Sequence, residues 1–338
     1  MLIDWLDLTL HERSAAMPEE GSVPFGRYRL LGPGVLELQP HRRLPHARAC
    51  VFSAGIHGNE TAPIELLGEL MSQLAAGRLR LGAPILVILG NIPAIQAGQR
   101  FLETNLNRLF QRDILANGAE TERARQLMDA VDAFYSRHSG LPKLHYDLHT
   151  AIRDSRYPRF VVEPYDETAV TGDDQWQWFA AADLQAVLHQ HQHSWTFSHY
   201  TRHYHQAQSF TLELGRVAPF GANDLIPLRP MQCLLNALAE GREPPGTSPS
   251  RMAFFRVEHE LMRASEEFRL CFDDDIPNFS EFAPGEQLAH DPLTGDFIVG
   301  DQPLAVVFPN ANVEIGARAA LLVVPSQPPP ERRHRLRQ

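Results

Sequence analysis

The sequence predicts an α/β protein: a mixed, mainly parallel sheet flanked by helices, followed by a small β-rich domain. Three observations carry this expectation. Apolar runs of strand length alternate with segments of helical period from residue 48 to residue 240. One of those runs, at 84–90, is apolar throughout, as an interior strand covered on both faces must be. Beyond the linker Pro244-Pro245-Gly246-Thr247-Ser248-Pro249 the pattern changes to short Val, Ile and Phe runs broken by Pro and Gly. With 338 residues, 43% of them hydrophobic, the chain can bury a substantial core. The expected division is a large α/β domain over 1–245, a β-rich domain over 250–325 and a disordered, Pro- and Arg-rich tail over 326–338.

Taken in order, residues 1–25 alternate apolar and acidic positions and predict a short helix or an edge segment. The pattern over 26–39, with Gly32-Pro33-Gly34 in its middle, predicts a hairpin. Residues 48–54 form the first buried strand. Ile64, Leu66, Leu67, Leu70, Met71 and Leu74 then recur at helical spacing, with Gly77 as the stop. After the strand at 84–90 a loop with Pro93 and Gly98 is expected. A helix follows over 120–138, with Ala124, Leu127, Met128, Val131 and Phe134 on its apolar face. Strands at 144–150 and 159–162, a helix over 173–189, a strand at 208–214 and a helix over 225–240 complete the region. In such layered folds, sites gather at the carboxyl ends of the strands.

Charge and cysteine content exclude several classes. A formal charge of −10 disfavours nucleic acid and anionic membranes as partners. The three cysteines are far apart with no C-x-x-C pair, so neither a disulfide framework nor a thiolate metal knuckle is indicated. A cytoplasmic protein is expected, because the N-terminus lacks a signal-peptide pattern and no run has the length of a membrane span.

The chemistry begins at Val51-Phe52-Ser53-Ala54-Gly55-Ile56-His57-Gly58-Asn59-Glu60, where an apolar strand breaks at glycine and delivers His57 and Glu60. With 16 His and 23 Glu, chance supplies about one His-x-x-Glu pair, so context must carry the reading. Here the pair sits between strand and helix, fixed yet open, as half of a zinc site requires. His149, ending Tyr146-Asp147-Leu148-His149-Thr150, is the best third ligand, with Asp147 to orient it. His145 is its competitor one pleat deeper, and the bland alternative is a hydrogen-bonded core histidine. Glu213 lies in the otherwise apolar Ser209-Phe210-Thr211-Leu212-Glu213-Leu214. A carboxylate there is either salt-bridged or a general base. Arg100, Asn107 and Arg108 share one loop. They are either solvated or serve to bind a carboxylate and polarise a carbonyl. Arg153, Arg156 and Arg159 are expected to add charge to the same rim, so that the site suits a small anionic substrate. The stretch His189, His191, His193, His199, His203 and His205 has no carboxylate or cysteine at ligand spacing and alternates with polar residues as exposed strands and loops do. Only adventitious metal binding is expected of it, although Tyr200 and Arg202 within it are candidate substrate contacts.

Four blocks in this order, Gly55-Ile56-His57-Gly58-Asn59-Glu60-Thr61, Asn105-Leu106-Asn107-Arg108, Asp147-Leu148-His149-Thr150 and Thr211-Leu212-Glu213-Leu214-Gly215, resemble the succinylglutamate desuccinylase and aspartoacylase family, itself similar to the zinc carboxypeptidases. The resemblance covers roughly 45–240 and, in outline, the β-rich domain. It implies one Zn²⁺ per subunit on His57, Glu60 and His149, Glu213 as the base, and Arg100 as the carbonyl-polarising arginine. It also implies Asn107 and Arg108 on the substrate α-carboxylate, and Arg202 as a further substrate contact. Within the family the blocks and the length look closer to the bacterial desuccinylases, in which Asn105 stands where aspartoacylase has Asp. The implied reaction is zinc-dependent hydrolysis of N-succinylglutamate to succinate and glutamate, the last step of arginine degradation by the succinyltransferase pathway. The alternatives are an aspartoacylase-like deacylase or zinc peptidase on the same scaffold, and a non-catalytic zinc- or carboxylate-binding module. The expected partner is a small anionic acyl amino acid, with room for a homo-oligomer.

Overall fold

A computed structural model describes residues 4–11, 18–168 and 170–327; from residue 328 on, the tail expected at 326–338 lies outside the described residues. Helix α1 (Trp5–Leu10) and strand β1 (Glu20–Val23) lead into the hairpin of β2 (Gly26–Gly32) and β3 (Val35–Pro40). Then follow β4 (Ala49–Ala54), α2 (Thr61–Ala75), β5 (Ile85–Leu89), α3 (Ile92–Ala97), α4 (Ala119–Arg137), β6 (Lys143–Ala151), β7 (Phe160–Glu163), α5 (Asp173–Ala181), β8 (Ala186–His189), α6 (Phe197–His205), β9 (Gln208–Arg216) and α7 (Arg229–Ala239). The C-terminal part is all β: β10 (Ala253–Met262), β11 (Arg269–Leu270), β12 (Ser280–Phe282), β13 (Gln287–Asp291), β14 (Gly295–Ile298), β15 (Leu304–Val307) and β16 (Arg318–Pro325).

One mixed sheet runs β1-β2-β3-β5-β4-β6-β9-β7-β8-β10-β16-β15-β12. Its centre, β5-β4-β6-β9, is parallel and both of its ends are antiparallel. The sheet crosses the expected domain boundary without a break, since β10 pairs in parallel with β8, Ala253 opposite Ala186. Strand alternation divides the core. Cys50, Phe52 and Ala54 of β4 face the cluster that includes α2, α5 and α7, whereas Ala49 and Val51 face α4 and α6. Among the described residues no helix is long and apolar enough to cross a membrane.

Three elements differ from expectation. The loop with Pro93 and Gly98 is helix α3, capped by the Asn91 side chain, carrying Pro93 in its first turn and ending on Gly98 at φ 61°. Cap, proline and glycine each stand where a helix uses them. The helix expected over 173–189 ends at Ala181; Asp183 at φ 62° turns the chain and β8 follows. Trp176, Phe179, Leu184, Val187 and Leu188, all buried, are spaced 3, 5, 3 and 1 apart, which imitates helical periodicity across the break. The third is the histidine-rich stretch, whose second half is helix α6 and not an exposed strand or loop; His199 in it is fully buried.

Candidate metal centre and active site

The site is built on the carboxyl ends of β4, β6 and β9. Their register sets Ser53 beside Asp147 and Asp147 beside Thr211, with His149 opposite Glu213. Alternation therefore sends Tyr146, Leu148, Phe210 and Leu212 into one apolar core, and lines up His145, Asp147, His149, Ser209, Thr211 and Glu213 on the other face. After β4 the chain must turn sharply. Gly55 sits at φ 68°, and Gly58 lies so close to α3 that a β-carbon would be 2.1 Å from the Ala94 carbonyl carbon. That close approach puts His57 and Glu60, the latter at the position just before α2, beside the ends of β6 and β9.

One ligand atom from each of His57, Glu60 and His149 lies within 4.8 Å of the others, and all three residues are buried. Glu60 Oε1 is 2.8 Å from His57 Nδ1, and its Oε2 is 2.8 Å from His149 Nδ1 and accepts the Thr150 N–H at 3.1 Å. The far nitrogens are also engaged: His57 Nε2 stands 3.0 Å from Asn105 Oδ1, and His149 Nε2 stands 2.9 Å from Asp147 Oδ2. Acceptors at both Nε2 positions can hold an imidazole proton there, which makes Nδ1 the ligating atom of each ring once a cation replaces the proton shared with Glu60. Two nitrogens and a carboxylate so arranged fit Zn²⁺ with an open fourth position. Beneath them Ser53 Oγ donates to Asp147 Oδ1 at 2.6 Å and lies 2.7 Å from His145 Nε2; His145 Nδ1 lies 2.8 Å from Thr201 Oγ1. His145 is thus part of the support.

Burial and charge set the protonation. Burial opposes charge on His149, but the Asp147 and Glu60 carboxylates outweigh it and hold its pKa well above the usual range. Burial lowers His57 to about 4 despite Glu60. Burial, reinforced by the Glu60 charge, pushes Glu213 up to about 7. Among the described residues its buried Oε2 has no hydrogen-bond partner, so the protein leaves that oxygen able to accept from a ligand.

The arginines are distributed unevenly. Arg100 Nη1 donates to Glu60 Oε1 at 2.8 Å, and its carbonyl accepts from Gly58 N at 3.0 Å. Asn107 is buried, its Oδ1 accepting from Phe197 N at 2.9 Å. Arg108 donates to the Asn107 carbonyl. Many protein atoms surround it although solvent reaches it, and with the charges of Arg318 and Arg100 they lower it to about 10. Arg202 is placed elsewhere: it is buried in an ion pair with Glu163 at 3.1 Å and donates to Thr171 Oγ1. Glu163 belongs to β7, which runs antiparallel to β9 with Phe160 opposite Glu213, so the chain reaches Glu163 by running away from the catalytic strand end. Tyr200 packs beside Phe197 on the α4 side and donates to Asp132. Arg153 and Arg156 donate to Pro309 O and Ser280 Oγ, and Arg159 pairs with Asp183, so these three are held by neighbouring segments.

Comparison with known proteins decides the family. The succinylglutamate desuccinylase/aspartoacylase catalytic-domain model matches residues 46–237, and the barrel-sandwich hybrid domain model of the same family matches 250–326. The chain belongs to the succinylglutamate desuccinylase/aspartoacylase family. It is 39% identical over 322 residues to a succinylglutamate desuccinylase of Pseudomonas putida (strain GB-1), covering 95% of this chain and 96% of that one. It is 40% identical over 326 residues to the corresponding protein of Serratia proteamaculans, covering 96% and 98%. The crystal structure of the Vibrio parahaemolyticus succinylglutamate desuccinylase superposes with a TM-score of 0.88 at 33% identity, covering 96% of this chain and 95% of that chain.

Sequence reasoning passed over two positioning groups of this family member. Asn105, noticed only as a difference from aspartoacylase, is the acceptor that orients His57. Glu120, taken only as the start of a helix, is buried and accepts from Leu102 N at 2.9 Å and Glu103 N at 3.2 Å, tying the loop that carries Arg100 to α4. A charged residue in the first turn of a helix signals little beyond a favourable dipole interaction. Its long-range partners were invisible.

Proposed function

We propose that this chain hydrolyses N-succinylglutamate to succinate and glutamate, the last step of arginine degradation by the succinyltransferase pathway, with one Zn²⁺ held by His57, Glu60 and His149. The observation that carries the proposal is the convergence of those three side chains beside the buried Oε2 of Glu213, which has no hydrogen-bond partner among the described residues, in a chain 39% identical along 322 residues to a succinylglutamate desuccinylase. Bound zinc supplies Lewis acidity and lowers the pKa of water at the site. Glu213 takes the proton of the attacking water and returns it to the departing amine, a task suited to a carboxylate raised to about 7. The Arg100 guanidinium, already against Glu60, stabilises the negative charge developing on the carbonyl oxygen. Asn107, whose Oδ1 is occupied, offers its Nδ2 donor to the substrate α-carboxylate, and Arg108 offers the charge. Arg202, bound to Glu163, is left out of this set. Three free cysteines, with Cys233 and Cys271 exposed, support a reducing cytoplasmic setting.

The test measures glutamate release from N-succinylglutamate, with N-acetylaspartate in parallel, using zinc-loaded and chelated protein. Release from succinylglutamate alone, lost on chelation and restored by Zn²⁺, is expected. Cleavage of acetylaspartate alone overturns the substrate, and release that chelation leaves unchanged overturns the metal.

A further inference from the structure

Among the described residues, the mechanism leaves a histidine cluster unused. Helix α6 sets His199 and His203 four residues apart, one turn along the same side, and the chain before the helix brings His193 back against both. One ligand nitrogen from each of the three lies within 4.8 Å of the others. The His199 and His203 rings are parallel within 13° at 5.5 Å, and the His193 ring meets them edge-on at 69° and 74°. His193 Nδ1 is 2.7 Å from His199 Nε2. Tetrahedral bonds of about 2.0–2.1 Å would separate two ligand nitrogens by roughly 3.3 Å, so this pair needs to open by only about 0.6 Å. His199 is fully buried and, among the described residues, its Nδ1 has no hydrogen-bond partner. Beside the cluster, Asp166 Oδ2 stands 3.7 Å from His203 Nδ1, its side chain 7% exposed.

We propose that His193, His199 and His203 form a second metal site, for a borderline divalent transition ion such as Zn²⁺, Ni²⁺ or Cu²⁺, with the Asp166 carboxylate adding negative charge beside His203. Three imidazoles with an i, i+4 pair on a helix are a strong donor set for such ions and a poor one for Mg²⁺ or Ca²⁺, which take oxygen. The site is separate from the His57 centre in residues. It is nevertheless tied to the substrate loop: Trp195 O accepts from Phe110 N at 3.2 Å, and Phe197 N donates to Asn107 Oδ1. A cation here would pin residues 193–197 to α6 beside Asn107 and stabilise the folded chain by mass action. The inference is independent of the proposed reaction.

The experiment titrates metal-free, full-length protein with Zn²⁺ and, separately, with Ni²⁺. It reads stoichiometry by calorimetry and the thermal unfolding midpoint. Two equivalents are expected for the wild type. His193→Ala and His203→Ala, both at surface positions, should each weaken only one equivalent by more than about tenfold, the lower end of what even an outer partner of a metal ligand contributes. They should also remove its share of the midpoint shift. His57→Ala should remove the other equivalent and keep this one, and His191→Ala should change neither. A wild type that binds one equivalent overturns the proposal. So does a second equivalent that survives both His193→Ala and His203→Ala, which marks adventitious binding.

Discussion

Asp147→Asn tests whether the strand beneath the metal centre is part of it. Asp147 is fully buried, accepts from His149 Nε2 at 2.9 Å and from Ser53 Oγ at 2.6 Å, and has no exposed alternative. Asparagine keeps the shape and removes the charge, and a charge-assisted hydrogen bond is about twice as strong as a neutral one. If the amide turns its Nδ2 toward Ser53, that hydroxyl must find another acceptor, and His145 Nε2 at 2.7 Å is within reach. If the amide turns its Nδ2 toward His149, the imidazole proton loses its acceptor and the Nδ1 lone pair is no longer assured. Either way the ligand becomes less basic. Loss of such a partner costs about 10- to 100-fold in metal affinity, or about 1.4–2.7 kcal/mol. Asn105→Ala removes the matching acceptor from His57, but that acceptor is neutral and only half-buried, so its loss should stay near the low end, about tenfold. Zinc competition against a chromophoric chelator measures both. An Asp147→Asn protein that binds zinc like the wild type, or one less impaired than Asn105→Ala, refutes the reasoning.

Glu213→Gln should keep wild-type metal content and lose turnover by about 10²- to 10⁴-fold; loss of metal in equal measure would make Glu213 a ligand. Glu120→Ala should raise KM more than it lowers kcat, because it frees the backbone of the loop that carries Arg100, Asn107 and Arg108. Partial exposure of Leu102 and Glu103 lets water replace part of the loss, which limits the destabilisation to about 1–2 kcal/mol. Steady-state kinetics and urea unfolding check both effects. Glu37→Gln should destabilise by about 2–3 kcal/mol without changing kcat. Glu37 is buried and bonded to Arg29 at 3.0 Å and Arg137 at 2.5 Å, and those arginines can partly turn to water. Although burial opposes ionisation, its hydrogen bonds, led by His138, Gln39 and Arg137, hold its carboxyl far below the usual range. Its contribution is therefore fully present above the unfolded-state pKa of about 4.3 and is lost as pH falls through the folded-state value. Acid unfolding of the wild type should thus be steeper than that of Glu37→Gln.

Local pattern carried much of the fold. The apolar runs of β4 and β5, the spacing of Ile64 to Leu74 and the alternation around Asp147 and Glu213 are each set by which residues must leave water, and that requirement is written in sequence order. It failed where the signal was chemical and short, as in the capped single turns of α3, and where two elements together mimicked one period, as Phe179 and Leu184 do across the Asp183 turn. The histidine-rich stretch failed for a different reason. Alternating His, Gln, Ser and Tyr look solvated, yet α6 packs on β6 and β9, and that packing, not composition, buries His199.

Residue order by itself determined the α/β class and the strand-to-helix turn that presents His57 and Glu60, because strand, glycine and helix are local properties. It also marked His149 and Glu213 as polar groups at the ends of apolar strands, since an unpaired carboxylate or imidazole there is costly unless something demands it. Asp147, two residues from His149 on the same strand face, was legible as its partner, whereas only the tertiary structure decided which nitrogen of His57 faces Glu60, through the acceptor supplied by Asn105, 48 residues away in the chain. It alone gave Arg100 to Glu60 and Arg202 to Glu163, since an arginine's partner is whichever carboxylate the packing brings within its reach. Hydrogen bonds and ion pairs act over about 3–4 Å, and distances of that size are set by how strands register and helices pack, which no local pattern encodes.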